Sequence, residues 1–256
     1  RFEQRYQFKI DADTMRFARD AIERRMLGKL SYKRILAELI LILNEKDPIP
    51  ALARIRDIGV WKYILPEIDV MSISWNKLKR VPLVTGWWNE RYYGQKFKVW
   101  ILYFIIIFAQ LHPDQSELVL QRYPLDRSAK RTILDSSSVP QLAAGISNNL
   151  ELCPSDLDKM ISALTNENRL YLLLCIKDEG SWDRISRYLD LKEKVRVEIN
   201  GNHLRELGLK PGPAYKQILA QVYDLKLDEK IKTQQDEIKV VKQWIEEGRI
   251  PDAVRL

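Results

Sequence analysis

Histidine and cysteine are nearly missing from this sequence of 256 residues, at two each. His112 and His203 stand far apart in the chain, too few to ligate zinc or to build a His-Asp metal phosphohydrolase centre. Cys153 and Cys175 lie in apolar, helix-patterned surroundings and read as small core residues in a reduced, cytoplasmic setting, no secretory or other targeting signal being in view. Glycine and proline, at 10 and 11, are too sparse for long disordered or low-complexity stretches. Glycine-rich phosphate loops of the P-loop or dinucleotide type are absent, as is a Gly-x-Ser-x-Gly elbow, which removes those enzyme classes. Long apolar runs are lacking too. The strongest, Val99 to Ala109, falls far short of the roughly 20 residues needed to cross a bilayer, so it is expected as a buried helix, with no membrane as partner. Asp11 and Asp13 have the spacing of metal-binding carboxylates, yet Asp13-Thr14 reads as a helix cap and no strand surrounds them. No catalytic residue and no metal ligand is assigned.

What is present is helix-forming and basic. Hydrophobic residues make up 46% of the chain, enough to fill a real core. Lys and Arg exceed Asp and Glu by 42 to 35, for a net +7 and a pI near 9.2, a surplus that attracts polyanions, although many basic proteins bind none. The surplus is concentrated in the opening segment, which carries Arg16, Arg19, Arg24, Arg25, Lys29, Lys33 and Arg34 among others.

Apolar residues at three- and four-residue steps predict one helix through Phe17, Ala18, Ala21, Ile22 and Met26, closing at Gly28. A second is capped by Ser31 and runs through Ile35, Leu36, Leu39 and Leu43 until Asp47-Pro48, and a third passes Ala51, Leu52 and Ile55 to Gly59. The aromatic stretch Trp75, Trp87, Trp88, Tyr92, Tyr93, Phe97 and Trp100 has the density of a base-stacking surface, but core packing is the expected role. Short helices follow around 116–121, 126–134, 140–146, 155–164 and 167–176. Lys194 to Ile199 alternates like a strand; with no second strand to pair it, its backbone would be left unsatisfied, so helix is predicted. The fold class is therefore all-α, an elongated array of short helices without substantial sheet.

Three stretches together resemble the neck, body and tail of class II tRNA nucleotidyltransferases and the related bacterial poly(A) polymerases. Arg1-Phe2, five residues, then Phe8-Lys9-Ile10-Asp11 is similar to one family motif. Ser31-Tyr32-Lys33-Arg34-Ile35, followed by Glu38-Leu39, resembles the neck pattern, with Lys33 where the family usually has Glu. The segment from Ile199-Asn200-Gly201 through Leu207-Gly208-Leu209-Lys210-Pro211-Gly212-Pro213 to Leu219 matches the most turn residues in order. Asp228-Glu229-Lys230 lacks the Gly common in the family's last turn.

The resemblance implies residues 1–70 as neck and start of body, 71–199 as helical body and 200–256 as a C-terminal tail module. It implies the RNA-gripping part of an enzyme that extends RNA 3′ ends, with tRNA or another RNA as partner and ATP or CTP with magnesium used by the complete enzyme, though no cofactor is assigned to this chain. The family's catalytic head, with its carboxylates and a Glu-Asp-x-x-Arg motif, is not in this sequence. The chain alone is thus expected to be inactive, either an excised fragment or a polypeptide completed by a head in cis or in trans. Ser31 and Arg34 correspond to the neck motif that supports the nucleotide pocket; a helix cap and a solvated arginine are the alternative. Lys210, Gly212, Tyr215 and Lys216 form the candidate RNA-binding turn, in which Pro213 opens a helix whose free amides, with Gly212 as the point of close approach, suit a phosphate. An ordinary interhelical turn with two solvated lysines is its alternative. A helical protein-interaction scaffold with an incidental basic surface is the rival reading of the whole.

Overall fold

The computed structural model describes residues 1–92 and 94–250; Tyr93, counted in the aromatic stretch, lies outside the described residues. Among the described residues the regular structure is helical, with no strand. The chain forms α1 (Phe2–Tyr6), α2 (Ala12–Glu23), a 3-10 turn at Met26–Lys29, α3 (Tyr32–Leu43), α4 (Ile49–Asp57), α5 (Trp61–Ile64), α6 (Trp75–Arg91), α7 (Val99–Phe108), α8 (Pro113–Gln121) and α9 (Arg127–Asp135). After a second 3-10 turn come α10 (Val139–Asn148), α11 (Pro154–Ile161), α12 (Asn166–Cys175), α13 (Glu179–Lys194), α14 (Gly201–Glu206), α15 (Pro213–Leu227) and α16 (Gln234–Glu246). Contacts divide the chain into two compact units, one of residues 1–145 and 164–177, the other of 146–163 and 178 onward.

The first unit is organised around α7. Its residues Trp100 to Phe108 are all buried, and α3, α6, α9 and α12 pack on it, so the apolar run is a core helix, as its length requires. Trp88, Tyr92 and Trp100 are buried as well, and Trp88 and Tyr92 lie 4.8 Å apart between ring centroids. The aromatic stretch is therefore largely core, with Trp75, Trp87 and Phe97 half-buried.

Helix starts follow the sequence's polar residues, with two corrections. The first-helix cap is Asp11 and not Asp13: the Asp11 carboxylate accepts hydrogen bonds from the Thr14 amide (2.9 Å) and hydroxyl (2.6 Å), which hold it below the usual carboxylate range. Asp13 pairs with Arg16 at 3.0 Å. That helix also stops at Glu23, before Gly28, because Arg25 takes a left-handed conformation (φ 55°) that a helix cannot continue through. Its apolar stripe is only partly covered, with Ile22 buried and Phe17 66% exposed.

The second unit packs α11 against α13 and α15, and α15 against α16. Ile199, Leu204, Leu209, Ile218, Val222, Val241 and Trp244 belong to its apolar cluster. Residues 195–200 are extended and not helical, contrary to the expectation from the sequence. Two of their amides are satisfied without a neighbouring strand: the buried Glu237 carboxylate accepts from the Glu198 and Ile199 N–H groups at 3.0 and 2.9 Å. Lys226, also buried, donates to Glu198 at 2.7 Å and to Glu237. Burial alone would push Lys226 down, but its bonds to Glu198 and Glu237 outweigh this and hold it above the ordinary lysine value.

Candidate nucleic-acid interface

In the first unit the Ser31 hydroxyl accepts from the Arg34 amide at 3.4 Å, so Ser31 is the N-cap of α3. Capping leaves the Arg34 side chain exposed on the first turn. Arg34 lines a groove of about 410 Å³ whose other walls include Leu27, Leu30, Ile42, Ile55 and Tyr63, with Glu38 the second charged residue. One cation and one anion on an apolar wall do not make a triphosphate cradle; the groove offers a single guanidinium at the edge of a greasy surface. Along the chain from α2 into α3, Arg19, Arg25, Lys29, Lys33 and Arg34 are exposed and form no ion pair among the described residues, whereas Arg16 and Arg24 are tied to Asp13 and Asp20. Five exposed cations within sixteen residues are thus uncommitted to carboxylates. The charge bias here is visible in the sequence, and Arg34 stands out there for the nucleotide pocket, but Arg19, Arg25, Lys29 and Lys33 do not, because pairing depends on which acids the helix geometry brings within reach.

In the second unit Asn200 caps α14 by accepting from the Asn202 amide at 2.9 Å, and Gly208, at φ 82°, ends that helix in the left-handed conformation. The chain then turns through Lys210, Pro211 and Gly212 into α15, with Pro213 in its first turn. Lys210 and Lys216 are exposed and form no ion pair among the described residues. Gly212 is extended at φ 172°, a conformation open to any residue, and a Cβ placed there would meet nothing within 4 Å. Its value to a ligand is therefore open space. The Tyr215 hydroxyl donates to the Leu209 carbonyl at 2.7 Å, and its ring lies against Gly201, where a Cβ would approach Cδ2 to 3.3 Å. Tyr215 thus braces the turn, leaving only oxygen lone pairs for a ligand. The Tyr215 amide bonds the Gly212 carbonyl at 3.0 Å, so fewer free amides face outward than Pro213 alone suggests.

Residues 7–71 match a family model described as "Probable RNA and SrmB- binding site of polymerase A". An A-adding tRNA nucleotidyltransferase of Geobacter sulfurreducens is 26% identical over 246 residues, covering 94% of this chain and 28% of the relative. Another, from Halalkalibacterium halodurans, is 21% identical over 95% of this chain and 54% of the relative. The chain is class II tRNA nucleotidyltransferase-like. It spans about a quarter to a half of those relatives. The nucleotidyltransferase-like fold extends to a Thermotoga maritima CCA-adding enzyme complexed with tRNA, with a TM-score of 0.78 at 22% identity over 95% of this chain and 59% of that one. A CCA-adding enzyme solved with ATP gives 0.75 at 22% identity, over 97% of this chain and 58% of that one.

Two features of this nucleotidyltransferase-like chain bear on chemistry. Among the described residues no group of three or more His, Cys, Asp or Glu side chains comes together to hold a metal ion, so they do not fit a two-cation centre and no metal-assisted step is assigned to them. No helix among them is long and apolar enough to cross a membrane.

Proposed function

We propose that this chain is the RNA-gripping part of an enzyme that extends RNA 3′ ends, with tRNA as its partner. The observation that carries the reading is the coincidence of the RNA-binding family match over residues 7–71 with the five unpaired, exposed cations between Arg19 and Arg34. Phosphate oxygens supply the negative charge that those side chains lack within the protein. The turn at Lys210, Gly212 and Lys216 is a second phosphate contact, held in shape by Tyr215. Residues 1–70 act as neck and start of body, 71–199 as body and 200–256 as tail, in the cytoplasm. Nucleotide addition belongs to a catalytic head joined in cis or in trans, which would hold magnesium and ATP or CTP; Arg34, presented by the Ser31 cap, supports that nucleotide pocket from the neck.

The test is tRNA binding by the purified chain across a salt series. Affinity falls linearly on a log–log plot, with a slope of about −0.7 to −0.9 per neutralised phosphate, and the chain incorporates no labelled ATP. Salt-insensitive or absent binding would favour a helical protein scaffold, and incorporation by the highly purified chain would overturn the division of labour.

A further inference from the structure

The two cysteines, alike in sequence context, sit in opposite chemical company. Cys153 Sγ faces a carboxylate and a hydroxyl, with Asp156 Oδ2 at 2.9 Å and Ser155 Oγ at 3.1 Å. Cys175, at the end of α12, instead has the Lys77 side chain of α6 against it, Nζ to Sγ at 3.4 Å across 98 residues of sequence. Lys77 Nζ also lies 5.2 Å from the ring centroid of Tyr171, one helical turn before Cys175. The Tyr171 hydroxyl is buried beside the same Cys175 thiol. That ring holds the amine over the thiol, and nothing in the RNA-binding account uses any of the three. Cys175 is half-buried, open enough for a molecule as small as hydrogen peroxide to reach.

We propose that Lys77 and Cys175 form a peroxide-responsive modification site that closes into a covalent Nζ–Sγ sulfenamide, linking α6 to α12. In the first step Sγ attacks a peroxide oxygen; the O–O bond breaks, one oxygen remains on sulfur as the sulfenic acid, and the other leaves as water. In the second the free amine of Lys77 attacks that sulfur; the N–S bond forms, the S–O bond breaks, and the hydroxyl departs with an amine proton as a second water. Cysteine sulfur is oxidised by two electrons, one hydrogen peroxide is reduced, and the cross-link has two hydrogens fewer than the separate side chains. A thiol reductant reverses it by attack on sulfur, returning the amine and the thiol.

The experiment uses the full chain carrying Cys153→Ser, so that Cys175 is the single thiol. After hydrogen peroxide and proteolysis, mass spectrometry should find the Lys77 and Cys175 peptides joined, lighter by two hydrogens than their sum, and separated again by dithiothreitol. The thermal midpoint should rise with peroxide in this chain and stay unchanged when Cys175→Ser is added, because the link closes a long loop. In a Cys153→Ser, Lys77→Arg chain the cross-link vanishes and trapping of Cys175 sulfenic acid by dimedone increases several-fold. Conversion of Cys175 to sulfenic or sulfinic acid with no joined peptide while Lys77 is present would overturn the proposal. If the Lys77→Arg chain does not fold, the joined peptide and its reversal decide the matter alone.

Discussion

The two units hold themselves together by different physics. The first is centred on α7, whose residues from Trp100 to Phe108 are buried among neighbouring helices, a core made of non-directional apolar contacts. The second has an apolar cluster as well, but its extended segment at 195–200 is tied down by a buried carboxylate and a buried ammonium, Glu237 and Lys226. An apolar core tolerates swaps that preserve volume, whereas a buried ion pair fails when either partner goes.

Truncation of that pair should give the largest effect. Glu237→Ala is expected to destabilise the second unit by about 3 kcal/mol, the low end for a broken buried pair because Glu198 still faces Lys226. Amide exchange at Glu198 and Ile199 should accelerate with it, since both lose their acceptor. Leu102→Met, at the centre of the first unit, should cost under about 1.5 kcal/mol. Urea denaturation of the two variants checks the contrast, and equal losses would remove it.

Acid provides the next comparison, between two helix caps. Asp178 is held down to about 2 from an ordinary 3.8 by hydrogen bonds from the Ser181 side chain and amide and from Ser147. Asp126, the cap of α9, is also lowered, by the Ala129 amide and then by Lys98. A carboxylate whose pKa is depressed by folding contributes stability that is fully present above its unfolded pKa and lost as pH falls through the folded one. Asp178→Asn should therefore flatten the stability loss between about pH 4 and 2, and do so more than Asp126→Asn. Thermal midpoints across that pH window read the difference.

A smaller effect belongs to the second unit alone. Glu229 takes φ 59°, the left-handed region that favours glycine, and the Lys230 amide still reaches the Leu225 carbonyl at 2.9 Å, so the helix-ending geometry is made without a glycine there. A non-glycine residue in that conformation costs about 1 kcal/mol. Glu229→Gly should recover most of it, the lost exposed pair with Arg187 counting for little.

The contrast also explains what the sequence made legible. The α7 run, the Ser31 cap, the Gly59 stop and the Pro213 start are local patterns, and each appears where the sequence predicts it. The extended stretch at 195–200 is not legible in the sequence, which predicts helix there, because its acceptor, Glu237, lies 38 and 39 residues away and carries no local signature. The same distance effect hides the site details. Nothing near Arg19 or Lys33 in sequence announces that no acid reaches them, and the bond from Tyr215 to Leu209 depends on how the turn closes.

The central claim, that exposed unpaired cations of this chain grip phosphates, is tested most directly at the turn, where folding and binding separate. Lys210→Glu with Lys216→Glu removes no intramolecular ion pair among the described residues, so circular dichroism and thermal midpoint should match the parent chain. Titrated with several tRNAs in low salt, where such contacts count most, the double variant should bind all of them more weakly and to a similar degree, with a salt slope smaller by about one per lysine removed. Unchanged tRNA affinity in the well-folded variant would contradict the account.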